Sequence, residues 1–74
     1  MPANMIEKYD SFSYNGCDYI AISDWSICGV LAVKDEHYNK NGVYTYDVME
    51  NLELHPDQNV FYFGSVDDTD DEWN

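Results

Sequence analysis

The stretch KYDSFSYNGCDYIAI, residues 8–22, decides the fold. Phe12 and Tyr14 alternate with Ser11 and Ser13, the period of two that sends successive side chains to opposite faces of a strand. Asn15-Gly16 follows, and beyond it Asp18 alternates with Cys17 and Tyr19. Asn-Gly between two such runs is the strongest short-range hairpin signal, because both residues accept the positive φ of a type I′ turn. Two antiparallel strands are therefore expected on either side of Asn15-Gly16.

Downstream, residues 23–26 break the pattern, and residues 26–33 (SICGVLAV) form a continuous apolar run. The run is short, β-branched and interrupted by Gly29, which favours a buried central strand over a helix capped by Ser23 or Asp24. Residues 34–42 (KDEHYNKNG) read as a polar loop ending in a second Asn-Gly, and a strand is expected from Val43 through Tyr46. Residues 47–54 lose alternation after Val48. As a short helix they would put Val48, Met49 and Leu52 on one face and Glu50 and Glu53 outward, so a short helix or irregular segment is expected. Pro56 ends it, and residues 60–63 (VFYF) form the last strand, closed by Gly64-Ser65. Residues 1–7 read as a frayed start. The sum is a β-rich α+β fold: a small antiparallel sheet of four to five strands with at most one or two short helices, in a compact domain over residues 1–66, followed by an acidic tail over residues 67–74.

A chain of 74 residues is one domain and buries only about 60% of its unfolded surface. Seven Tyr, three Phe and two Trp still supply a core, since aromatic side chains bury roughly 150–250 Å² each. Charge dominates the composition: fifteen Asp and Glu stand against three Lys and no Arg, a net charge of −12. Removing the five acids of the tail (Asp67, Asp68, Asp70, Asp71, Glu72) leaves ten acids and three lysines in residues 1–66, still −7. The acidity thus belongs to the body as well as the tail, and the total of −12 exceeds the charge magnitude of about 2–8 that keeps a small domain in solution.

These numbers bear on function. Affinity for a phosphate backbone comes from Lys and Arg, so direct binding to nucleic acid is not expected. His37 and His55 lie in polar loops, and no nucleophile–base signature or phosphate-cradling loop accompanies them, so no enzyme and no catalytic residue is expected. The run from Asp67 lacks the glycine and twelfth-position glutamate of a calcium loop, and Cys17, Cys28, His37 and His55 fit no zinc spacing, so no metal or cofactor is expected. There is no apolar run of about 18 residues, and MPANMIEKYD has no basic stretch leading into an apolar one. A cytoplasmic protein with reduced, half-buried strand cysteines and no membrane association is the expectation.

Carboxylates can stand where phosphates would. On a strand, acids at i and i+2 lie about 6.8 Å apart, from a rise of roughly 3.4 Å per residue, and Asp68, Asp70 and Glu72 fall in that register. The candidate partner-binding residues are Asp67, Asp68, Asp70, Asp71 and Glu72, Trp73 as an apolar anchor, and Asp47, Glu50 and Glu53 on the body. In size, charge and the DDTDDEW tail, the chain resembles the small acidic phage-encoded DNA mimics of the anti-CRISPR and anti-restriction type, without a shared motif. That resemblance implies a stoichiometric inhibitor that blocks the DNA- or RNA-binding site of a basic partner, such as a CRISPR effector or a restriction or nuclease complex, in a host cell. Two alternatives remain: an acidic immunity protein or antitoxin that neutralises a basic toxin, and a small phage structural or assembly protein, with a homodimer left open. Burial of Tyr44, Tyr46 and Tyr62 would favour the acidic surface as the working face, and their exposure would favour assembly. Replacing Gly16 by valine, which resists positive φ, is expected to destabilise the fold by more than about 1 kcal/mol, a fall of roughly 4–8 °C in Tm on thermal melting; a parental melt would rule out the turn.

Overall fold

The computed structural model describes residues 1–39, 41–42 and 44–66. The hairpin forms as the pattern dictates. β1 (Asp10–Tyr14) pairs antiparallel with β2 (Cys17–Ala21), and Tyr14 faces Cys17 across a two-residue turn. Asn15 and Gly16 sit at φ of 55° and 82°, as a type I′ turn requires. β3 (Val30–Lys34) adds beside β2, β4 (Met49–Leu52) beside β3, and β5 (Phe61–Ser65) returns to the far side of β1. The result is one five-stranded antiparallel sheet in the order β4-β3-β2-β1-β5. The only helical elements among the described residues are two single 3-10 turns, Ala3–Met5 and Asp35–His37. The fold is β-rich, and no α-helix supports an α+β label.

Register assigns the two faces. Phe12 opposes Tyr19, Ala21 opposes Ala32 and Val30 opposes Leu52, so these side chains share one face. That face is covered by the chain's two irregular segments: Ala3 and Ile6 from the start, and Leu54 and Val60 from the stretch between β4 and β5. Phe12 is wholly buried at the centre and stacks on Tyr19 at 5.9 Å. On the opposite face Ile20 and Val33 are also fully buried, and their neighbours Ile22 and Met49 line a cavity of about 200 Å³ with Asn39, Gly42 and Tyr44.

Five expectations need correction. The N-terminus is not frayed. Met1 and Val60 exchange hydrogen bonds, from the Met1 amine to the Val60 carbonyl at 3.0 Å and from the Val60 N–H to the Met1 carbonyl at 2.9 Å. The Ala3 N–H donates to the Gln58 carbonyl and the Asn4 N–H to that of Pro56. Ala3 and Ile6 are held because they seal the core face, a non-local reason that local sequence does not carry. The segment 47–54 is neither helix nor irregular throughout: it contains β4, because pairing with β3 places Leu52 and Glu50 on the core face. The apolar run does supply a central strand, but it begins only at Val30. Residues 26–29 form a tight turn with reciprocal Ser26 and Gly29 backbone bonds that leaves Ile27 exposed. Finally, residues 44–46 carry no strand, and Cys28, expected half-buried in a strand, lies exposed in the 26–29 turn. The tail, residues 67–74, lies outside the described residues.

Gly29 fixes the entry to β3. Its φ is 112°, and a Cβ there would lie 2.3 Å from the Leu52 carbonyl oxygen, whereas at Gly16 (φ 82°) nothing lies within 4 Å of one. Gly16→Ala meets only the backbone strain of about 1–2 kcal/mol that positive φ imposes on an L-residue. Gly29→Ala is expected to lower the melting temperature clearly more, because the β3–β4 ladder must open to admit the methyl group. If the two variants melt alike, the close approach of Gly29 to β4 is wrong.

Candidate functional site

An antiparallel sheet gathers alternate strand ends. The start of β2, the end of β3 and the start of β4 lie at one end, and the acids flanking them come together there. One step beyond the Tyr19–Lys34 pair brings Asp18 level with Asp35, and two steps beyond the Val33–Met49 pair brings Asp35 level with Asp47. Asp18, Asp35 and Glu36 line one shallow opening of about 310 Å³ with Cys17 and Lys34. Asp47 and Glu50 continue the row along β4. Five carboxylates therefore rim this end of the sheet, and all but Glu50 are exposed.

Little neutralises them. Among the described residues the one ion pair is between His37 Nε2 and Glu36 Oε2, at 3.5 Å, and it is charged only when His37 is protonated. Asp47 accepts a short hydrogen bond from the Thr45 hydroxyl. That bond, helped by its own backbone N–H and by His37, holds its carboxyl below the usual carboxylate range. Glu50 is half-buried and accepts from the Tyr19 hydroxyl at 3.2 Å. Burial of Tyr19 first, and then the adjacent Glu50 charge, push the Tyr19 phenol up to about 12.

The sequence-predicted residues divide. Asp47 and Glu50 stand on this rim. Glu53 does not join them: with 49–52 in a strand, it lies past the other end of β4, beside Ile27, Cys28, Asn51, Leu54 and His55. The predicted sharing of one face by Glu50 and Glu53 required a helix and is withdrawn. Asp67, Asp68, Asp70, Asp71, Glu72 and Trp73 lie outside the described residues. Sequence reasoning missed Asp18, Asp35 and Glu36, since their convergence depends on the strand order β4-β3-β2.

It also missed the character of β5. Phe61, Tyr62 and Phe63 are 69%, 43% and 53% exposed, and the Phe61 and Phe63 rings lie 5.3 Å apart. Tyr62 lies beside Asp10 and Glu7; desolvation and then the Asp10 charge and hydrogen bond raise its phenol pKa. Tyr46 is 92% exposed, while the half-buried Tyr44 exchanges hydrogen bonds with the backbone of Asn39.

No group of three or more His, Cys, Asp or Glu among the described residues is arranged to hold a metal ion, and no helix among them is long and apolar enough to cross a membrane. No protein-family model matches this chain, and no curated protein or solved structure matches it significantly.

The Tyr19–Glu50 contact has a measurable consequence. A phenol whose folded pKa lies above its unfolded value stabilises the fold fully below pH about 10, and that stabilisation is lost as pH rises through about 12. In an absorbance titration of tyrosinate formation, one tyrosine is expected to titrate at about 12, to vanish in Tyr19→Phe and to move down in Glu50→Gln, which removes the neighbouring charge. An unchanged profile in Glu50→Gln would break the assignment.

Proposed function

We propose that this protein is a stoichiometric inhibitor that presents carboxylates in place of phosphates to the nucleic-acid-binding site of a basic protein, as anti-CRISPR and anti-restriction DNA mimics do. The observation that carries the reading is the rim of Asp18, Asp35, Glu36, Asp47 and Glu50, in which no carboxylate is paired with a lysine among the described residues. Such a row retains its field. It attracts an arginine- or lysine-lined channel at long range and can form charge-assisted hydrogen bonds on contact. A net charge of −12, with five of the fifteen acids in residues 67–72, supplies the steering. An immunity protein acting on a basic toxin would use the same electrostatics. The specific partner, a CRISPR effector or a restriction or nuclease complex, belongs to this proposal, as does action inside a host cell.

The exposed Phe61, Tyr62, Phe63 and Tyr46 favour a second reading. In that reading the chain is an assembly module whose partner surface is apolar.

The test is competition. A basic protein captured on this chain is expected to release it when duplex DNA or guide RNA is added, and to bind it more weakly as salt rises, with screening shortened to about 8 Å at 0.15 M. A variant carrying Asp18→Asn, Asp35→Asn, Glu36→Gln and Asp47→Asn is expected to associate at least about tenfold more slowly at low salt while melting normally. Neutralising Asp68, Asp70, Asp71 and Glu72 measures the tail's share. If the partner holds nucleic acid and this protein at once, with neither changing the other's affinity, mimicry is excluded and the immunity and assembly readings move ahead.

A further inference from the structure

Register brings one exposed aromatic ring and one exposed carboxylate onto a single line across the sheet. Ser13 of β1 pairs with Phe61 of β5 on one side and with Asp18 of β2 on the other. Phe12, one residue earlier, pairs with Tyr19 and Tyr62 and faces the core. Side chains alternate along a strand, so Phe61, Ser13 and Asp18 share the opposite face. Neighbouring strands lie about 4.8 Å apart, which sets Phe61 and Asp18 roughly 10 Å apart with only the small Ser13 side chain between them. The Phe61 ring is exposed and has the Phe63 ring beside it at 5.3 Å. Asp18 is exposed as well, and among the described residues no hydrogen bond or ion pair engages its carboxylate. Lys34 pairs with Tyr19, so its side chain leaves the sheet on the other face.

We propose that this line docks one arginine side chain of the partner protein, its stem across the Phe61 ring and its guanidinium on the Asp18 carboxylate. The proposal rests on the basic-partner reading above and names the cation which that reading leaves open. An aromatic face in line with a carboxylate suits a guanidinium better than an ammonium. The guanidinium is planar and weakly hydrated, stacks on rings, and meets a carboxylate through two parallel N–H···O bonds. An ammonium is a strongly hydrated point charge and makes no such fork. A wholly apolar segment suits the line poorly, because covering it would take the Asp18 carboxylate out of water without a partner. A second copy of this chain cannot supply the occupant, since the sequence contains no arginine. Beyond Asp18 the line continues to Asp35 and Asp47, which gives further cations of the partner a place on the same face.

The test titrates the ¹⁵N-labelled protein with two blocked peptides of equal charge, glycine throughout except for one central arginine or one central lysine. At about 20 mM salt, where screening is weak, the arginine peptide is expected to bind at least about threefold more tightly. The amide signals of Ser13, Asp18 and Phe61 are expected to move most. Phe61→Ala leaves the charge of the chain unchanged, so simple charge attraction would hold both peptides as before, whereas arginine docking loses its preference. Asp18→Asn removes the acceptor of the fork and is expected to bring the two peptides to equal affinity as well. Either variant carries the result alone should the other not fold. Equal affinity of the parent protein for the two peptides, a preference that survives in a folded variant, or shifts centred elsewhere on the chain overturns arginine docking and leaves the charge reading standing. If no signal moves with either peptide, docking is likewise overturned, and the competition assay above decides the basic-partner reading separately.

Discussion

The stacked pair of Phe12 and Tyr19 is the contact on which the rest of this structure depends. A sheet of this size has one thick core face, and these two rings sit at its middle, on the two strands joined by the Asn15-Gly16 turn. Everything that covers the face is positioned against them: Ala3 and Ile6 from the N-terminal segment, Leu54 and Val60 from the stretch before β5, and Trp25, whose indole N–H donates to the Leu54 carbonyl at 2.9 Å. No α-helix among the described residues caps the sheet. Two irregular segments take that role, tied to each other by the Met1–Val60 exchange and the Ala3 and Asn4 hydrogen bonds. Burying irregular backbone is tolerated only when its polar groups are paired, and here each segment supplies partners for the other.

This arrangement dictates where charge can go. With both faces of the central strands occupied, acids are driven to the strand ends and loops. Asp10 is the exception: it is buried, and it accepts from the Glu7 N–H at 2.9 Å while the Asp10 N–H donates to the Glu7 carbonyl. It thereby closes the turn in which Tyr9 adopts a positive φ. Asp24 similarly accepts from the Lys8 N–H at 2.8 Å, a backbone bond that leaves the Lys8 ammonium to lie over the Tyr9 ring. These two carboxylates are structural. The rim acids satisfy no backbone group of another strand, and their mutual repulsion opposes folding.

Legibility from sequence followed the range of each interaction. The hairpin was readable because its turn chemistry and alternation are local, and β5 because VFYF has little else to be. β4 was not readable: MENL has no alternation, and it is a strand because Val30, Ala32 and Val33 offer it a ladder. The anchored N-terminus was hidden for the same reason, since Met1, Ala3 and Asn4 hydrogen-bond to partners more than fifty residues away. Of the candidate site, Asp47 and Glu50 were identified by charge alone. Their true neighbours Asp18 and Asp35 required the register, and Glu53 was grouped with them by assuming a period of 3.6 where the period is two.

The same register separates two surface chemistries. The acid rim lies at the ends of β2, β3 and β4, while the aromatic strip lies on β5, at the opposite edge of the sheet from β4. A nucleic-acid mimic built only on charge would be promiscuous, because any basic channel would accept it. The exposed rings of Phe61 and Phe63 would supply what charge lacks, since the proposed partner would have to match their shape as well as the charge of the rim. On this view the −12 charge has a second consequence. It opposes the self-association that exposed aromatic side chains invite, because two copies of the chain repel each other.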